Sequence, residues 1–95
     1  MGRYSIPVWQ MIVKSFKKEK KSKDYLTIPQ IREIVISNFA TENVNRRTIE
    51  LQTIFHCVNH SQNKHGGGLH EKNPLFTTDG KGRFRLLTEK EKKSS

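Results

Sequence analysis

The sequence predicts a small α+β domain in which three helices are followed by a β-hairpin. Three observations carry that prediction. Apolar residues recur at helical spacing in three successive stretches, and the first two open on a residue able to cap a helix. A polar, glycine-containing segment then breaks the periodicity. Beyond it, Leu75–Leu87 reads as two strands about Asp79-Gly80 and Gly82, which supply the positive-φ positions of a tight hairpin.

Met1–Tyr4 reads as a short, frayed lead-in, and the domain is expected over Ser5–Leu87. Ser5 can cap a helix whose first turn holds Ile6 and Pro7, where a missing amide donor costs little. Val8, Trp9, Ile12, Val13 and Phe16 form its apolar stripe, to about Phe16 or Lys18. The basic run Lys17–Lys23 reads as a solvated helix end and loop, where cations complement the dipole. Thr27-Ile-Pro-Gln30 starts the second helix: a threonine cap, a proline in the first turn and a glutamine at the capping-box position. Ile31, Ile34 and Val35 continue its period. Phe39–Asn45 forms a turn somewhat longer than the tightest helix-turn-helix connection.

The third stretch, Asn45–Asn59, is the one the rest of the chain serves. At 100° per residue Val44, Thr48, Leu51, Ile54, Phe55 and Val58 share a stripe expected to be buried. Arg46, Thr53, His56 and His60 fall opposite, with Asn45 and Gln52 on a flank. Arginines in a first helical turn oppose the positive end of the helix dipole, and an anion held there resolves the conflict. Phosphate is the obvious candidate.

His60–Pro74, with Gly66-Gly67-Gly68, has no periodicity and is expected to be a loop. In the hairpin, Phe84 and Leu86 point inward while Arg83, Arg85 and Leu87 take the other face. Thr88–Ser95 is charged and of low complexity, so a tail or the start of a linker is expected.

Composition narrows the partner. The 95 residues make one domain, and 18 lysines and arginines against 9 acidic residues give a formal charge of +9. That balance favours a polyanion, nucleic acid before membrane. The lone Cys57 excludes an internal disulfide, no apolar run reaches the roughly 20 residues of a membrane span, and no signal-peptide core follows Met1. An intracellular, soluble protein with no membrane partner is expected.

Three helices and a basic hairpin are the order of a winged helix-turn-helix. The ending Leu75-Phe76…Gly80-Lys81-Gly82-Arg83-Phe84-Arg85-Leu86 resembles the closing wing of winged-helix modules attached to restriction-type endonucleases and chromatin factors, the HARE helix-turn-helix group and its bacterial relatives. The Ile-Phe-His-Cys-Val-Asn-His segment before the glycines is similar to the third helix and loop of the restriction-associated branch. The resemblance spans Ser5–Leu87. It implies a DNA-binding module, often joined to a nuclease domain and sometimes sensing modified bases. The chain carries no nuclease motif of its own.

For double-stranded DNA, the N-terminal half of the third helix is expected in the major groove. Arg46 and Arg47 suit a phosphate or a guanine edge, with Asn45, Gln52, Thr53 and His56 as further contacts. Ile49 either touches a thymine or 5-methylcytosine methyl or packs against the second helix; Glu50 pairs with an arginine across one turn or accepts from cytosine. Lys81, Arg83 and Arg85 would meet the adjacent minor groove or its phosphates.

Rival readings find less support. Cys57, His60, His65 and His70, with His56 nearby, are capable zinc ligands, but their spacing is looser than known site types, and no metal or cofactor is expected. Cys57 and His60 lie about 300° apart on a helix and have no orienting acid, and no Lys-Ser or Lys-Thr follows the glycines, so catalysis by this chain is not expected. A protein-interaction module is the alternative, and an exposed apolar patch about Ile36, Ile49 and Leu87 would favour it. RNA is weaker, because the aromatic residues read as core and leave no stacking platform.

Overall fold

The computed structural model describes residues 4–94. The elements run α1 (Val8–Lys18), β1 (Leu26–Thr27), α2 (Ile28–Asn38), a 3₁₀ turn (Ala40–Glu42), α3 (Arg46–Phe55), a second 3₁₀ turn (Asn63–Gly66), α4 (Leu69–Lys72), β2 (Phe76–Thr78), β3 (Arg83–Leu86) and α5 (Glu89–Ser94). The chain is thus a small α+β fold with a three-stranded antiparallel sheet ordered β1-β3-β2.

α1 starts later than expected. Pro7 is its N-cap residue, and its carbonyl accepts from the Gln10 and Met11 amides. Ser5 caps nothing: its N–H and hydroxyl both donate to the Glu42 carboxylate, at 3.1 and 2.8 Å. Tyr4, read as part of a frayed lead-in, instead packs against the core, and its hydroxyl accepts from the Asn45 amide at 3.4 Å. Residues 1–3 of that lead-in lie outside the described residues.

α2 begins as its sequence dictates. Thr27 Oγ1 accepts from the Gln30 N–H, and Gln30 Oε1 accepts from the Thr27 N–H at 2.9 Å, which closes the capping box. The same Thr27 ends a strand that was not expected. Leu26 and Thr27 pair antiparallel with Phe84 and Arg83, so the start of α2 is welded to the hairpin.

α1 packs against both α2 and α3. Met11, Ile12 and Phe16 of α1, Ile31 and Val35 of α2, Ile49 of α3, and Phe76 and Phe84 of the sheet make the core, each 2% exposed or less. Phe16 and Phe76 meet at a ring-centroid distance of 6.1 Å and join the helices to the sheet. Phe84 and Leu86 face inward as the alternation predicts.

The buried face of α3 is not the predicted stripe. Ile49 and Thr53 are fully buried, as are His56 and Cys57 just beyond the helix, while Thr48, Leu51, Ile54 and Phe55 are only half-buried. Phe55 is covered from the other side by the 3₁₀ turn: a methyl group on Gly66 would stand 2.5 Å from Phe55 Cβ. The helix ends at Phe55, and Val58 instead donates its N–H to the Phe76 carbonyl at 2.9 Å. Helical spacing carried past Phe55 therefore misplaced Val58.

Two segments expected to be irregular are structured. The His60–Pro74 loop contains a 3₁₀ turn and α4. The expected tail forms α5, started by Thr88, whose hydroxyl accepts from the Glu91 N–H while Glu91 Oε1 accepts from the Thr88 N–H. Ser95, the last residue of that tail, lies outside the described residues. No helix among the described residues is long and apolar enough to cross a membrane.

Candidate nucleic-acid interface

Asn45 sets the end of α3. Its Oδ1 accepts from the Arg47 and Thr48 amides at 2.8 and 3.3 Å, satisfying two donors the helix cannot satisfy itself. Its role in the structure is that of a cap. Arg46 and Arg47 follow at once and are exposed. Neither guanidinium has a hydrogen-bond or ion-pair partner among the described residues. No acidic residue occupies this first turn. Two cations thus stand at the positive end of a helix dipole, and among the described residues neither is ion-paired, although Glu33 borders the same groove as Arg46.

α2 holds that end in place. Arg32 Nε donates to the Arg46 carbonyl at 3.2 Å, and its NH2 group reaches the Glu50 carboxylate at 2.6 Å. Glu50 therefore pairs with an arginine, but with Arg32 of α2 rather than across one turn of its own helix. Between the helices lies an open groove of about 460 Å³, bordered by Pro29, Arg32, Glu33, Ile36, Ser37 and Arg46.

Three residues expected at the interface are withdrawn from it. Ile49 is fully buried in the core and presents no methyl contact to a ligand. Thr53 is also fully buried; its hydroxyl donates to the Ile49 carbonyl at 2.8 Å, the back-bond that lets a threonine lie inside a helical core. His56 is 1% exposed, and its Nδ1–H donates to the Asn73 carbonyl at 2.9 Å. The Trp9 ring lies 5.9 Å from the imidazole. Burial pushes the His56 pKa below its ordinary 6.5, against the smaller opposing effect of the Asn73 bond. Gln52 stays half-exposed.

The hairpin divides the same way. Gly80 and Gly82 both take φ of +80°, as the hairpin required. Lys81 between them is exposed, and its side chain has no partner among the described residues. Asp79 accepts from the Lys81 N–H at 2.8 Å and from Arg83 Nε at 2.7 Å; that amide first, then the guanidinium, holds its carboxyl below the usual range. Arg83 is thus tied within the hairpin, though its side chain is still 48% exposed. Arg85 is taken altogether. It forms a two-pronged ion pair with Glu91 of α5, at 2.9 and 2.8 Å, and lies over the Tyr25 ring. Arg85 accordingly fastens α5 to the sheet, and the Glu91 carboxyl is held down to about 2, by Arg85 first and the Thr88 N–H next.

The candidate zinc ligands are dispersed among other tasks. Cys57 is buried and its thiol donates to Asn59 Oδ1 at 3.2 Å, while burial pushes its pKa up. His60 stacks on Phe84 at 5.7 Å. Among the described residues no group of three His, Cys, Asp or Glu is placed to hold a metal ion. Sequence reasoning also missed Asn59. Its side-chain amide pairs with both backbone groups of Thr78, accepting from the N–H and donating to the carbonyl, each at 2.9 Å. No sequence signal marks that contact, because an asparagine in a polar loop reads as a turn residue.

Residues 7–86 match the family described as Domain of unknown function (DUF7669), and the chain belongs to that family. No curated protein and no solved structure gives a significant match.

Proposed function

We propose that the chain is a winged-helix module that binds double-stranded DNA, with the start of α3 in the major groove and the hairpin as a wing on the flanking backbone or minor groove. The order α1-β1-α2-α3-β2-β3, with β1 paired to β3, supports the winged-helix reading. The observation that carries DNA binding is the pair Arg46 and Arg47, exposed and without a partner among the described residues at the capped N-terminus of α3. Lys81, at the tip of the wing, adds a cation on the hairpin. The net charge of +9 favours the same partner.

The contact set is smaller than the sequence suggests. Arg46, Arg47, Lys81 and the open part of Arg83 carry it, with Gln52 at the margin. A role in recognising modified bases rests on the family resemblance alone and would not involve the buried Ile49. A non-catalytic module is the matching reading of Cys57, whose thiol is buried and hydrogen-bonded. The protein-interaction alternative loses support, since Ile49 is missing from its expected patch and Tyr25, at 38%, is the one large exposed apolar side chain among the described residues.

The test is charge reversal. Arg46→Glu with Arg47→Glu should abolish duplex binding at moderate salt while leaving the melting temperature nearly unchanged. Unchanged affinity in the double variant overturns the reading.

A further inference from the structure

Beside the wing lies a second cleft that the reading above leaves unused. It encloses about 260 Å³ and is bordered by His60, Ser61, Thr78, Gly80, Gly82 and Phe84. We propose that this cleft binds a backbone phosphate of duplex DNA next to the stretch met by α3, with the His60 Nε2–H as its donor. The proposal rests on the DNA-binding reading and extends it to a residue outside α3 and the hairpin.

Four features of His60 lead there. Its ring is clamped flat on Phe84, with centroids 5.7 Å apart and planes inclined by 19°, so its orientation is fixed. The Gln62 N–H donates to His60 Nδ1 at 3.0 Å, which makes Nδ1 the acceptor and puts the proton of the neutral ring on Nε2. That Nε2–H has no protein acceptor among the described residues, and it is not one of the buried polar atoms left without a partner. It therefore opens to solvent, on a residue that borders the cleft.

The rest of the cleft suits an anion. Ser61 is exposed and offers a hydroxyl. Gly80 and Gly82 leave open space where any side chain would begin, so a phosphate can approach the hairpin backbone. Lys81 sits between them. The neighbouring carboxylate, Asp79, is engaged by Arg83 and by the Lys81 N–H. Asn59 fixes the geometry by joining the His60 turn to β2 through Thr78.

The experiment compares the full chain, His60→Phe and Arg46→Ala on a labelled duplex over a range of salt. Phenylalanine keeps a ring on Phe84 and removes the donor. His60→Phe should bind about tenfold more weakly, the scale of one lost hydrogen bond to a charged group. Its salt slope should match the wild type, because a ring whose Nδ1 accepts the Gln62 N–H brings a hydrogen bond and not a cation to the phosphate, whereas Arg46→Ala should lose about one unit of slope. Wild-type affinity in His60→Phe, with Arg46→Ala weakened, overturns the cleft and leaves the α3 reading standing. No salt-dependent binding by the wild type overturns both. Should His60→Phe melt early, the imidazole ¹⁵N spectrum of the wild type decides: a shifted Nε2–H signal on adding duplex supports the contact, and an unmoved one overturns it.

Discussion

The Asn59 side-chain amide pairs with Thr78 as a neighbouring strand would, accepting from its N–H and donating to its carbonyl, both at 2.9 Å. Thr78 ends β2, an edge strand, and leads into the hairpin turn. One side chain from the turn after α3 thus ties that turn to the hairpin. Asn59→Ala should destabilise the domain by about 1–2 kcal/mol, two exposed hydrogen bonds at about 0.5–1.5 kcal/mol each being less than additive. Urea unfolding measures it. A variant as stable as the wild type would show that the hairpin holds its position without Asn59.

Gly66 lies against Phe55 with no room for a methyl group; an added Cβ would meet Phe55 Cβ at 2.5 Å and Cγ at 2.6 Å. These atoms sit near the helix backbone and cannot swing aside as a side-chain tip can. Gly66→Ala should therefore cost about 1–3 kcal/mol through overpacking. Alanine at Gly67 or Gly68 meets no such contact but must adopt φ of +69° or +85°, a different source of strain. A Gly66→Ala domain with an unchanged melting temperature would mean that the turn does not pack on α3 as described.

His56 makes stability depend on pH in a window of its own. Its pKa is lowered in the folded state by burial, so the unfolded chain takes up the proton first. Its contribution is complete above the ordinary value of 6.5 and is lost as pH falls from there toward the folded value. The slope cannot exceed about 1.4 kcal/mol per pH unit for one proton. Unfolding free energies from pH 7.5 down to pH 5 should fall more steeply for the wild type than for His56→Leu, which is less stable throughout but carries no proton there. Parallel curves would contradict the assignment.

How much was legible depended on whether local chemistry or tertiary packing made the decision. Thr27 and Gln30 announced α2 because a capping box is complete within four residues. Asp79, Gly80 and Gly82 announced the hairpin for the same reason: positive φ is a local demand. β1 was invisible because two residues carry no alternation and exist as a strand only through Phe84 and Arg83. The face of α3 was misread because apolar residues surround most of the helix. Leu51, Ile54 and Phe55 form the stronger stripe, yet Phe55 is covered by a turn whose sequence has no periodicity, and the deeper face includes Thr53, whose hydroxyl is satisfied within the helix. α5 had a readable signal in Thr88-x-x-Glu91, overshadowed by the composition around it. At the candidate site, Arg46 and Arg47 were legible as exposed cations, whereas the capture of Arg85 by Glu91 needed α5 to be seen first.

We propose that the cations of α3 and the hairpin that have no partner among the described residues meet DNA phosphates. The most direct measurement is the affinity of the full chain for a duplex and for a single strand of the same sequence, as a function of salt. If Arg46, Arg47 and Lys81 each neutralise one phosphate, log K should fall against log salt with a slope of about −2.7 or steeper on the duplex, with weaker binding to the single strand. A flat salt dependence, or equal and weak binding to both, would contradict the account.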